Sequence, residues 1–192
     1  MQGKISTPML TRMAMLVALN IILTRWLSLR VPMGGVEGIR IGFGELPVYF
    51  AGIFLGPAAG GIVGAVGDIC GYFINPLGAY MPHFTLAAAL RGIIPGLVLT
   101  LLSHGGRRKV GILPLFLTLA ATIVTVNIYM VPYFIETLFG LSRLVTVPPR
   151  IISSMISIPL FTAMLAYLNP KMESAFIVGP SKYGVHLTGK IW

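Results

Sequence analysis

Hydrophobic residues along this chain fall into long blocks, separated by short breaks that are polar or rich in glycine and proline. A helix that crosses the hydrocarbon core of a bilayer needs about 20 predominantly apolar residues, with about 17 as the lower end. Blocks of that order run from Pro8 to Leu29, Ala58 to Ile74, Phe84 to Leu102, Ile112 to Phe134 and Pro148 to Leu168. A sixth, Glu45 to Leu55, is shorter, with room to begin a turn earlier. Gly56-Pro57 closes it as a tight turn, since proline starts a helix well and cannot continue one. Arg30 to Gly44, with five glycines and a proline, and Asn75 to His83 are predicted as loops on one side, and Ser103 to Gly111 as a loop on the other. There is no internal repeat, and the tail 169–192 has no clear periodicity. The pattern predicts an all-α membrane protein, a six-transmembrane-helix bundle forming a single domain over 1–192 with its helical body at about 8–168.

Charge placement orients the bundle. The net charge is +9, yet the bases are grouped: Lys4 before and Arg12 at the start of the first span, Arg107, Arg108 and Lys109 in a polar break, and Lys171, Lys182 and Lys190 after the last span. Six crossings put all three groups on one side, which the positive-inside rule makes cytoplasmic, so both termini are expected there. No basic groove interleaved with aromatics is present, so the charge does not point to nucleic acid. The first block has the charge order of a signal peptide, but no A-x-A-like site follows and Arg25 and Trp26 stand where one is needed, so a retained helix is expected. Composition agrees: 56% of residues are hydrophobic and 10% charged, against about 25% charged in soluble domains, and mean hydropathy is +0.89. The single cysteine, Cys70, offers neither a disulfide framework nor a cysteine-based metal site.

Five charged residues interrupt the apolar blocks: Arg25, Glu45, Asp68, Arg91 and Arg150. A charge at the centre of a membrane helix costs from roughly 3 to more than 10 kcal/mol, so it persists where it meets a protein interior, a wet cavity or an opposite charge. Under the predicted topology the three arginines lie towards the outer side. Their planar guanidinium groups suit carboxylate or phosphate ligands. Around them Arg150, Ser153, Ser154 and Ser157 share a helical face, Thr85 and Arg91 share another, and Asn127 adds an amide. Phe43, Tyr72, Tyr80 and Phe84 supply flat apolar surface, with Tyr129 and Tyr133 near the outer end of span five. An aromatic-lined pocket with a few convergent polar groups is the general form of a small-molecule site. The competing structural reading pairs Glu45 and Asp68 with arginines inside the bundle. Three arginines against two acids leave a surplus of positive charge that favours an anionic ligand.

Two small-residue patterns concern packing. Gly60, Gly64, Asp68 and Gly71 recur at helical spacing, and Ala14 and Ala18 form an A-x-x-x-A on span one; such residues let helices approach closely. Enzymatic chemistry finds no support: H-E-x-x-H, G-x-S-x-G, a phosphate-binding loop with lysine and Asp-rich metal motifs are all missing. His83, His104 and His186 lie apart in loops and tail. No cofactor, metal or ATPase of this chain's own is expected.

Several segments together resemble the substrate-binding S components of energy-coupling factor (ECF) vitamin transporters, and among them the folate family. They are Thr24-Arg25-Trp26-Leu27-Ser28, Arg40-Ile41-Gly42-Phe43-Gly44-Glu45-Leu46-Pro47, Gly52-Ile53-Phe54-Leu55-Gly56-Pro57 and the Gly64 to Gly71 stretch with Asp68. Gly78-Ala79-Tyr80-Met81-Pro82, Phe84-Thr85-Leu86, Leu90-Arg91-Gly92 and Pro149-Arg150-Ile151-Ile152 complete the set. The similarity spans about Thr11 to Leu168. His83 stands where the family pattern P-G-F-T-L has glycine, a departure in a loop thought to gate the site.

The resemblance implies a multi-pass protein of a bacterial cell membrane that binds folate or a reduced folate from outside. It implies docking, through Ala14 and Ala18, on a transmembrane coupling subunit that carries two ATP-binding subunits. A pterin presents a flat ring with a donor-rich edge, for which Asp68 or Glu45 is the candidate acceptor, Asp68 slightly preferred. The glutamate carboxylates are then expected to meet some of Arg25, Arg91 and Arg150, with Phe43, Tyr80, Phe84, Thr85 and Asn127 lining the site. Alternatives are an S component for another vitamin or precursor such as pantothenate or hydroxymethylpyrimidine, a membrane enzyme acting on lipids, and a self-sufficient channel.

Overall fold

The structure is a computed structural model that describes residues 7–26, 28–33, 36–74, 76, 80–102 and 111–176, with side chains described over 7–26, 42–74, 76, 80–102 and 111–168. Its elements are α1 (Thr7–Arg25), β1 (Ser28–Met33), β2 (Val36–Gly42), α2 (Phe43–Leu55), α3 (Pro57–Ile74), α4 (Pro82–Leu102), α5 (Ile112–Phe139) and α6 (Arg143–Phe176). Among the described residues five helices, α1 and α3 to α6, are long and apolar enough to cross a membrane, while α2 is a shorter apolar helix. The basic residues Lys4, Arg107, Arg108, Lys109, Lys182 and Lys190 lie outside the described residues.

The short helix α2 is the centre of the bundle. One side, Leu46, Tyr49 and Phe50, packs with Leu115, Leu119 and Ile123 of α5 and Phe161 and Leu165 of α6. The other, Val48 and Ala51, packs with Met13 of α1 and Ala59 and Val63 of α3. Leu46 through Gly52 are buried without interruption, so protein rather than lipid surrounds this helix and its length need not match the bilayer. Apolar burial alone does not drive helices together in lipid, where close packing and interhelical hydrogen bonds do. The α3–α4 contact shows the former. A Cβ on Gly92 would collide with the Gly60 carbonyl oxygen, and one on Gly64 with the Ala88 carbonyl oxygen, so these backbones touch only because the side chains are absent.

Four sequence expectations change. Much of the predicted loop Arg30 to Gly44 lies in two antiparallel strands, with Leu29 opposite Ile41 and Met33 opposite Val36, so among the described residues the fold is helical apart from this ribbon and short connections. Its register shifts between Val31 and Pro32, as fits a proline that cannot donate to a ladder. Span one accordingly ends at Arg25, not at Leu29. Span five continues past Phe134 to Phe139, and span six begins at Arg143, not at Pro148. Gly140 ends the first in the left-handed conformation (φ 68°), its N–H bonding Glu136 O, and Ser142 Oγ accepts the Leu144 N–H to start the second. The intervening charges Glu136 and Arg143 form an ion pair with each other. Finally, α6 runs on as helix to Phe176, beyond the Leu168 limit of its apolar block.

Candidate functional site

The end of the bundle that carries the hairpin gathers most of the polar residues embedded in the spans. The C-terminal turns of α1, α3 and α5 meet there with the N-terminal turns of α2, α4 and α6. Helical regularity is relaxed beside them. Wide π-type turns occupy Ala51–Leu55 of α2 and Val124–Met130 of α5, the latter carrying Asn127, and such turns are frequent at functional sites. Pro95 lies inside α4 and lacks the N–H that would bond the carbonyl of Arg91, four residues back.

Glu45, in the first turn of α2, is the hub of one network. Its Oε1 lies 3.4 Å from Arg91 Nε of α4, the two side chains being 19% and 17% exposed. Its Oε2 accepts from the Tyr49 hydroxyl at 2.6 Å and from Asn127 Nδ2 at 3.4 Å. Arg91 Nε also donates to Asn127 Oδ1 at 2.9 Å, which closes the triangle. Three helices are thus tied by one carboxylate, one guanidinium and one amide. Attraction within such a part-buried pair is weakly screened, and removing either partner leaves an uncompensated charge.

Asp68 of α3 has different company. Its Oδ2 accepts from Thr85 Oγ1 of α4 at 2.7 Å, and Tyr80 OH lies 2.9 Å from that same Oγ1. The rings of Tyr72 and Tyr80 stand with centroids 5.2 Å apart. Asp68 therefore presents a carboxylate flanked by hydroxyls and two tyrosine rings. Arg25 approaches from α1: a Cβ on Gly71, one turn beyond Asp68, would sit 3.0 Å from Arg25 Nε.

The remaining predicted residues are more scattered. Phe43, at the start of α2, is 40% exposed. Phe84 packs against the apolar cluster of Ala87, Val126, Val131 and Ile135. Arg150 is half-buried on α6, where Ser153 Oγ bonds the Pro149 carbonyl. His83 is exposed, its ring 5.2 Å from that of Phe134. Ala14 and Ala18 lie exposed on α1 with Leu10, Met15 and Leu19. Among the described residues no three of His, Cys, Asp and Glu group to hold a metal ion.

Two residues of this region are absent from the sequence prediction. Tyr49 is fully buried; its signal is its place one turn after Glu45, on the same helical face. Asn20, 9% exposed, donates from Nδ2 to the Gly44 carbonyl at 2.6 Å and rests on Gly67. An amide in the middle of an apolar block is the signal there.

Comparison with known proteins follows from this geometry. Residues 4–168 match the family described as "ECF-type riboflavin transporter, S component". The folate transporter FolT of Clostridium novyi (strain NT) is 34% identical over 153 residues, which cover 80% of this chain and 83% of the relative. A crystal structure of FolT bound with folic acid matches with a TM-score of 0.73 and 25% identity, over 86% of this chain and 95% of that one. The structure of the S component of a bacterial ECF transporter matches at 0.60 and 21% identity, over 86% and 98% of the two chains, a likeness of fold alone.

Proposed function

The chain belongs to the S components of ECF-type transporters, and on that premise we propose that it binds folate or a reduced folate from the outer side and delivers it to an ECF module. That module is a transmembrane coupling subunit with two ATP-binding subunits, met through the exposed α1 face at Ala14 and Ala18. The observation that carries the reading is the different company of the two acids. Glu45 is committed to Arg91, Asn127 and Tyr49, so its part is to hold α2, α4 and α5 in place. Asp68, backed by Thr85 and beside Tyr72 and Tyr80, accepts the donor-rich edge of a pterin while the rings stack on it. Charge-assisted bonds of this kind are about twice as strong as neutral ones. Arg25 and Arg150 meet the glutamate carboxylates.

The topology proposed with it is six crossings with both termini cytoplasmic. The buried α2 completes the count of five long helices, and the even number returns the chain to the side of its basic residues. The connections 26–42, 75–81 and 140–142 then face outward, around the site.

A second reading, riboflavin, is favoured by the description of the matching family. Riboflavin has a flat ring system but no carboxylate for Arg25 and Arg150 to meet. Equilibrium binding of labelled folate and 5-formyltetrahydrofolate to the detergent-purified chain separates the two. The folate reading expects saturable binding below micromolar concentration that riboflavin does not displace. Absence of such binding, or displacement by riboflavin, overturns it.

A further inference from the structure

Thr146, Arg150, Ser154, Ser157 and Phe161 follow one another along α6 at intervals of three or four residues, so they fall within one stripe about 80° wide. At the foot of the stripe the Phe161 ring stands 5.7 Å from that of Tyr49, whose hydroxyl holds Glu45. The stripe therefore faces the interior that contains the Glu45 network. Thr146 and Ser154 on it are 6% and 5% exposed.

Helical hydroxyls in this protein regularly bond the carbonyl four residues back, as Thr11, Thr100, Thr122, Thr137, Ser153 and Thr162 do. Thr146 does not. The carbonyl four residues before it, that of Ser142, already accepts the backbone N–H groups of Val145 and Thr146, and Thr146 Oγ1 is buried with no hydrogen-bond partner among the described residues. Buried polar atoms of this kind call for a partner. Arg150, one turn further along the stripe, brings positive charge to the same face.

We propose that Thr146 is a ligand-binding residue, its hydroxyl donating to the carboxylate-bearing end of the ligand beside Arg150. The inference rests on the folate reading above. Thr118 is the natural control. Its Oγ1 is likewise buried without a partner, but it lies on α5 between Leu115 and Leu119, which belong to the apolar core.

The test measures folate and 6-methylpterin affinity, and thermal unfolding with and without folate, for the wild type, Thr146→Val, Thr146→Ser and Thr118→Val. Thr146→Val is expected to weaken folate binding by about tenfold to 100-fold, the effect of one hydrogen bond to a charged group, and to leave 6-methylpterin binding unchanged. Thr146→Ser restores folate binding, and Thr118→Val does not alter it. The ligand-free melting temperature of Thr146→Val stays level or rises, because the hydroxyl it loses is unpaired. Wild-type folate affinity in Thr146→Val, or a ligand-free protein that melts lower or fails to fold, overturns the inference alone. A wild type that binds no folate overturns the folate reading and the inference with it.

Discussion

Glu45 and Arg91 meet across the α2–α4 interface with Oε1 and Nε 3.4 Å apart, and Asn127 of α5 bonds to both. This contact has the character of a structural tie. Glu45→Gln and Arg91→Met are each expected to cost about 3 kcal/mol, because each takes the opposite charge from a part-buried ionic group. The double variant should cost clearly less than the sum. Thermal unfolding in detergent micelles measures the cycle, and additive losses would show that the pair is not coupled.

Tyr49 donates a further hydrogen bond to that carboxylate. Tyr49→Phe keeps the ring against Phe161 and removes only the hydroxyl. A loss of about 1.5 kcal/mol is expected, the lower end for a bond to a charged group, with folate affinity nearly unchanged. A large loss of affinity without a change in stability would move Tyr49 from the support into the ligand site.

Asp68 is assigned the opposite balance. Asp68→Asn removes the charge and turns one of the two acceptor oxygens facing the pterin edge into a donor, and should weaken folate and 6-methylpterin alike by about 100-fold, the equivalent of about 2.7 kcal/mol. Its effect on ligand-free stability should be small, since its partner Thr85 is a neutral hydroxyl. Arg150→Ala should instead weaken folate while sparing 6-methylpterin. Calorimetric titration of both variants with both ligands reads the contrast directly, and equal losses in all four titrations would refute the division of roles.

The contact of Gly92 with Gly60 predicts a stability effect far from any charge. Gly92→Ala must push α3 and α4 apart at their backbones, and a loss of about 3 kcal/mol is expected. Gly111→Ala is the control, since its added Cβ would meet Pro114 Cδ at an ordinary 3.4 Å. Equal melting temperatures for the two variants would contradict the close approach.

Ala14→Trp addresses the α1 face. Bulk on this exposed surface should leave folate binding by the isolated chain intact and abolish ATP-dependent uptake by the assembled transporter. Loss of binding as well would place the residue in the bundle interior.

What the sequence makes legible, and what it hides, divides along physical lines. Glu45, Asp68, Arg91 and Asn127 stand out because a polar group in an apolar block is costly. Which of them meet depends on the order and rotation of helices, and spacing along one helix says nothing of that. The stripe Gly60, Gly64, Asp68 and Gly71 reads as one packing face, yet Gly60 and Gly64 meet α4 whereas Gly67 and Gly71 meet Asn20 and Arg25 of α1. A helix lying between two others uses both flanks of such a stripe. The boundary between α5 and α6 is hidden because Glu136 and Arg143 lower the local hydropathy, while in the fold they pair with each other and the helices continue past them. Thr146 is silent in sequence, since an isolated threonine in a helix commonly bonds its own backbone.

The central claim is that this chain alone captures folate, and the small molecule that co-purifies with it tests this most directly. Mass spectrometry of the ligand released on unfolding the protein, isolated from cells supplied with both folate and riboflavin, is predicted to find folate or a reduced folate, with the amount falling sharply in Asp68→Asn. Recovery of riboflavin, or of no vitamin, from the wild-type chain would contradict the account.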